Sequence, residues 1–352
     1  MTHGDNPGSM LMNAKVYHRR RGGGIPPGQY STVQHSGANR RRDRAGRHRA
    51  RAFAMVRVDT IDPGSAPMSD KSIKRLHPAQ RDDIGDLLTQ RPLPGPHVDQ
   101  IDPFLFLNHH GPQHYPPGNR GLPFGPHPHR GFETVTFIID GSLMHKDSAG
   151  HASIIGAGGV QWMTAGSGIV HAEISPPAFR EHGGQLEILQ LWINLPARLK
   201  MSAPAYTGLQ RDAIPTLDLD GGKVGLHLVA GTFDGRQGPL RSLTGVFMST
   251  VTMRAGGRLQ VPDLRARKVF LYVVRGTVNI NGDRADAFHL AELSDDGVAL
   301  SVTAETDALL IFGHAAPIGE PVVSHGPFVM NTREEIQAAI ADFEGGRFQR
   351  LA

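Results

Sequence analysis

Eight short apolar runs, interrupted by turn-forming residues, recur between Thr134 and Gly313 and limit what this chain can fold into. Examples are TVTFIID (134–140), LEILQLWINL (186–195), GVFMSTVTM (245–253), VFLYVVRG (269–276) and DALLIFG (307–313). Runs of this length suit strands, and the Gly, Pro and Asn-Gly breaks between them suit turns. The spacing predicts an all-β protein of antiparallel sheets closed into sandwiches or barrels. With 43 Gly and 26 Pro, the 352-residue chain has ample turn residues and enough length for two ordinary domains.

An internal echo sharpens that expectation. ETVTFIIDGSLMHKDS from Glu133 aligns without gaps on KVFLYVVRGTVNINGD from Lys268, so that Gly141 falls on Gly276. Two β-domains of similar build in tandem would produce this pattern. A single helix is expected near the C-terminus. Thr332 and Glu335 form a capping box, Ile336, Ala339, Ile340 and Phe343 make an apolar stripe, and Gly345-Gly346 ends it.

The histidines carry the chemistry. His127 and His129, in GPHPHRGFETVT, share one face of a strand because side chains alternate with period two. With no bulge, that face continues to Val135, Phe137 and Ile139. His171 and Glu173, in GSGIVHAEI, share a face by the same rule. A lone His-x-His equally fits two ordinary polar residues. Two such pairs on separate strands suit a divalent first-row metal, with positions left for water or substrate. The chain has no cysteine, so a metal must use imidazole and carboxylate. In the second copy, His127 and His129 fall on Pro262 and Leu264, so only the first copy offers such a site. His109, His110 and His114, in HHGPQHYPPG, read as solvent or interface residues of a loop, and His145 and His151 as structural hydrogen-bonding residues beside a turn. Trp162 and Trp192 read as core, and Met163 as a residue lining the pocket.

Charge divides the chain. Residues 1–57 hold 12 Lys and Arg against two Asp, a surplus of ten, whereas the rest holds 25 against 31, a deficit of six. The basic tail, with RRRGGG and RRRDRAGRHRARA, has little to bury and is expected to be disordered. It fits a non-specific acidic-surface or nucleic-acid contact, a transit peptide of weak amphipathicity, or upstream coding sequence with Met55 or Met68 as the true start. The last is preferred, and no specific nucleic-acid binding is expected of the body. The sequence shows no signal-peptide pattern and no apolar run of the roughly 20 residues that a membrane helix needs. The absence of cysteine fits a cytosolic protein, and a cytoplasmic monomer is expected.

Gly121, His127-x-His129 and Glu133 resemble the first cupin motif, with Gly141 one residue late. Gly168-x-x-His171 resembles part of the second, with Ser175 in place of the usual Asn. The longer runs FGPHPHRGFETVT, LMHKDSAGH, QWMTAGSGIVHAE, LQLWINLP and GPFVMNTREEIQAAIADFEGGRF resemble the pirin family of two-domain cupins, from about Met68 to Phe348. The resemblance implies two β-barrel domains face to face: residues 68–200 with a metal, 201–352 without one, and the tail 1–67 outside both. It implies His127, His129, His171 and Glu173 as ligands of one metal per chain. Fe(II) is the metal implied, while the donor set would also accept Cu, Ni, Co or Mn. Glu133, a ligand in many cupins, is implied to play only a supporting or structural role.

The activity implied is that of a metal-dependent dioxygenase similar to quercetin 2,3-dioxygenase, which opens the central flavonol ring with O₂ and releases carbon monoxide. The partners would be a flavonol-like aromatic molecule and O₂, with Glu173 as both ligand and general base for the substrate hydroxyl. The alternative is a non-catalytic regulator in which the oxidation state of iron alters binding to a protein partner. A third reading is a cupin whose metal only stabilises its barrel.

Overall fold

The computed structural model describes residues 69–348; the basic tail lies outside them. Two seven-stranded antiparallel sheets form the frame. The first runs in the order Ala205–Leu209, Val160–Thr164, Phe132–Asp140, Gly184–Asn194, Phe104–Tyr115, Thr89–Leu93 and Gln80–Arg81. The second runs Ile73–Pro78, His289–Leu293, Lys268–Arg275, Ala308–Ala315, Phe247–Met253, Val224–Ala230 and Thr216–Leu219. Each domain adds a four-stranded sheet, Phe124–His129, Ile169–Ile174, Ser142–Asp147 and Ala152–Gly156 in one, and Arg258–Val261, Leu300–Ala304, Thr277–Ile280 and Asp283–Asp286 in the other.

Phe132–Asp140 and Lys268–Arg275 occupy the same place in their sheets, as the sequence echo expects. Gly141 and Gly276 make the same turn, at φ +83° and +82°, and a Cβ at either would lie within 2.6 Å of a backbone oxygen.

The two large sheets pack on a common apolar layer. Phe104, Val135, Phe137 and Leu191 of the first domain meet Met248, Phe270, Tyr272 and Ile311 of the second. Phe104 and Phe270 are edge to face with centroids 4.7 Å apart. A polar clamp crosses the same layer. His109 Nε2 donates to Glu187 Oε1 at 2.8 Å, and Tyr272 Oη donates to His109 Nδ1 at 3.0 Å. Arg275 pairs with Glu187 and, at 2.8 Å, with Asp140.

Two expectations are corrected here, for the histidine stretch and for the C-terminal helix. The stretch read as a histidine loop is the strand Phe104–Tyr115; His109 and His110 are buried in it and only His114 is exposed. Two strands pair across the expected boundary at 200. Ile73–Pro78 pairs with His289–Leu293 in the second sheet, whereas Ala205–Leu209 pairs with Val160–Thr164 in the first. Edge hydrogen bonding decides this, and a linear division of the sequence carries no sign of it. The C-terminal helix Arg333–Glu344 has its Thr332–Glu335 capping box, but Phe343 is 39% exposed and only Ile336 and Ala339 are fully buried. A second, short helix spans Pro177–His182. No helix among the described residues is long and apolar enough to cross a membrane.

Candidate metal centre

His127 and His129 stand on Phe124–His129, which pairs antiparallel with Ile169–Ile174 so that His171 lies opposite His127 and Ile169 opposite His129. The three imidazoles converge: ring centroids are 4.8 Å apart for His127–His129, 4.4 Å for His127–His171 and 4.9 Å for His129–His171. One nitrogen from each falls within a set spanning no more than 4.8 Å. His129 and His171 are buried, and His127 is half-buried.

Their hydrogen bonds suit metal binding. His127 Nδ1 donates to the Gly125 carbonyl at 2.7 Å, and His129 Nδ1 donates to the Pro327 carbonyl at 3.3 Å. Each of these bonds leaves Nε2 with a free lone pair. Both ring nitrogens of His171 are buried with no hydrogen-bond partner. An imidazole in that position is normally partnered, so the missing partner fits a metal ion. Burial is the main cause holding all three imidazoles below the usual histidine range, so they are neutral, the form a metal ligand needs.

The strand does not continue past the histidines. Gly131, at φ +89°, turns the chain into the large sheet, and a Cβ there would lie 2.0 Å from the Val329 carbonyl oxygen. Beyond that turn Val135 and Phe137 face the interdomain layer, not the metal side, which corrects the expectation of one continuous face. Thr136, of the other parity, faces inward and donates to Glu173 Oε1 at 3.2 Å.

Glu173 lies outside the converging triad; it is gripped by neutral donors. Gln190 Nε2 donates to its Oε2 at 2.5 Å, and Gln161 Nε2 donates to its Oε1. Burial raises its pKa, and the hydrogen bonds from Gln190, Thr136 and Gln161 oppose that shift. Glu133 points to the opposite side of its strand. Thr164 Oγ1 donates to its Oε1 at 2.7 Å, its Oε2 has no partner, and burial lifts its pKa to about 7. Met163 is buried in a small cluster with Ala165, Ile169 and Tyr206.

Family models fit this architecture. One described as Pirin matches residues 86–193, and one described as the Pirin C-terminal cupin domain matches residues 248–349. The chain belongs to the pirin family. A pirin-like protein of Caulobacter vibrioides is 41% identical over 268 residues, covering 76% of this chain and 94% of its own. Pirin of Mus musculus is 35% identical over 264 residues, covering 73% of this chain and 87% of its own. A crystal structure of quercetin 2,3-dioxygenase from Acinetobacter baumannii matches with a TM-score of 0.76 at 33% identity, over 81% of this chain and all of that one.

Several residues of this pirin's site were not legible in its sequence. Trp192, expected in the core, is half-buried and forms an aromatic wall beside the three histidines, 5.3 Å from the His129 ring, 4.4 Å from Phe132 and 4.7 Å from Phe106. Its Nε1 donates to Gln190 Oε1 at 3.2 Å, linking the wall to the Glu173 grip. Gln161 and Gln190 lie within strands read from the sequence as core runs, and only the closure of the barrel brings them onto Glu173. His145 stacks on Tyr206 at 3.9 Å and donates through Nε2 to Asp147 at 3.0 Å, in keeping with the hydrogen-bonding role expected of it.

Proposed function

We propose that this pirin is a metal-dependent dioxygenase that opens a flavonol-like aromatic ring with O₂, with Fe(II) held by His127, His129, His171 and Glu173. The observation that carries the reading is His171: a buried imidazole with both nitrogens unpartnered, facing two neighbours whose Nδ1–H groups are already committed. The fold likeness to a quercetin 2,3-dioxygenase supports the choice of reaction. The bound metal would supply Lewis-acid stabilisation of the substrate oxyanion and a site for redox chemistry with O₂.

The residues of the chain do the rest. Trp192, packed between Phe106 and Phe132, gives the His129 side of the site an apolar aromatic border. Glu173, raised by burial, is suited to take the proton of a substrate hydroxyl, and Gln161, Gln190 and Thr136 fix the direction of its lone pairs. Met163 is proposed to line the pocket, and Glu133 to be structural. The test is metal analysis of protein purified without oxygen, followed by oxygen uptake with quercetin. Rapid uptake with carbon monoxide release supports the enzyme. A metal-loaded protein that consumes no oxygen, yet binds a protein partner differently when oxidised, would replace it with a redox-responsive regulator.

A further inference from the structure

The C-terminal segment, residues 323–348, packs against both strands that carry the histidines. At the end of Phe124–His129, Arg130 forms a parallel bridge with Phe328. The Arg130 N–H donates to the Pro327 carbonyl at 3.4 Å, and the Arg130 carbonyl accepts from Val329 N–H at 3.1 Å. The same Pro327 carbonyl accepts from His129 Nδ1 across 198 residues of sequence. The Arg130 side chain reaches the helix: its NH1 pairs with Asp342 Oδ2 at 2.8 Å, its Nε donates to the Ser167 carbonyl at 2.7 Å, and its guanidinium lies 4.6 Å over the Phe348 ring.

A separate observation concerns the other strand. Val170, next to His171, is buried in an apolar cluster with Phe328, Met330, Ile336 and Phe348. Gly168 leaves space for that last ring, since a Cβ there would lie 2.5 Å from it. Lys200 Nζ, fully buried, donates to the Gly131 carbonyl at 2.9 Å and to the Val329 carbonyl at 3.1 Å, joining the turn after the histidines to the C-terminal strand.

We propose that residues 323–348 are a positioning element of the metal centre, and that the Arg130–Asp342 pair and the Phe348 contact hold the Pro327 carbonyl on His129. A partner on a histidine's second nitrogen fixes the tautomer and the orientation in which the ring coordinates. Here that partner belongs to a segment with its own helix and its own apolar cluster, so the affinity of the site depends on whether the segment is docked. The inference rests on reading the triad as a metal centre.

The experiment compares the full chain with Asp342→Asn and Phe348→Ala. Val302→Ala, in the second barrel, serves as a control that lowers stability without touching the segment. Two quantities are measured: Co(II) affinity by competition with a chelator, and the ¹⁵N shifts of the His129 ring in metal-free protein. Asp342→Asn and Phe348→Ala should weaken Co(II) binding about tenfold or more and lower the fraction of His129 protonated at Nδ1, while Val302→Ala leaves both unchanged. Wild-type Co(II) affinity and His129 shifts in both segment variants would overturn the proposal, as would an equal loss of affinity in Val302→Ala. If Phe348→Ala does not fold, Asp342→Asn decides alone. If the wild-type chain bound no Co(II), the metal reading itself would fail, and the His129 shifts in metal-free protein would still decide whether the segment orients that ring.

Discussion

Glu173 and Glu133 are both buried carboxylates, and their surroundings prepare them for different work. Glu173 has three side-chain donors on it, Gln161, Gln190 and Thr136, whereas Glu133 has one, Thr164, and a second oxygen with no partner. On the proposed function, Glu173→Gln refilled with metal should bind flavonols yet lose about 10²–10⁴ in turnover, while His171→Ala should lose the metal. Turnover at the wild-type rate in the refilled variant would make Glu173 at most a ligand. Glu133 yields a pH prediction. Its folded pKa of about 7 lies above the ordinary 4.5, so its contribution to stability is fully present below pH 4.5 and is lost as pH rises through 7. Glu133→Gln should therefore gain on the wild type as pH rises from 5 to 8, by up to about 3 kcal/mol, measured by denaturant unfolding at both pH values. An equal difference at the two pH values would show that this carboxyl does not titrate in that window.

Among the elements, the strand Ile73–Pro78 has a role disproportionate to its length. It seals the edge of the second sheet against His289–Leu293, and Lys74 and His77 both reach Glu292, at 2.6 and 3.0 Å. Deleting residues 1–67, which hold little that could be buried, should leave melting temperature and metal content unchanged. Extending the deletion through Ala79 should cost at least several degrees in a melting experiment, because it exposes an unpaired sheet edge. A loss of several degrees on removing 1–67 alone would mean that the tail stabilises the body. The C-terminal helix was legible because its signals are local: Thr332 and Glu335 are three residues apart, and each side chain accepts from the other's backbone N–H. Phe343 was misplaced because the hairpin Val323–Met330 covers only part of the apolar stripe, leaving that ring at the margin beside Phe348, 5.7 Å away.

For the whole molecule, the repeated topology gives two barrels with opposite contents. Leu259 pairs with Val302 in the second barrel as Phe124 pairs with Glu173 in the first. Leu259, Val261, Leu264, Leu300 and Val302 all belong to one buried apolar core there. Metal content should therefore be one ion per chain after desalting, by elemental analysis. Two retained ions per chain would overturn the assignment of a single site, because an interior filled with Leu and Val offers no donor atoms.

The sequence by itself determined what depends on nearest neighbours and on alternation: strand-sized runs, Gly turns, the helix cap, the duplication, and the two His-bearing strands. Tertiary structure decided everything that depends on which distant segments meet. It turned the chain at Gly131, so that Thr136 and not Val135 faces Glu173, and it moved Ile73–Pro78 into the other domain's sheet. It also brought Gln161, Gln190 and the Pro327 carbonyl to the site. The physical reason is that sheet pairing and barrel closure are set by hydrogen bonds and burial between residues far apart in sequence, and no local pattern records them.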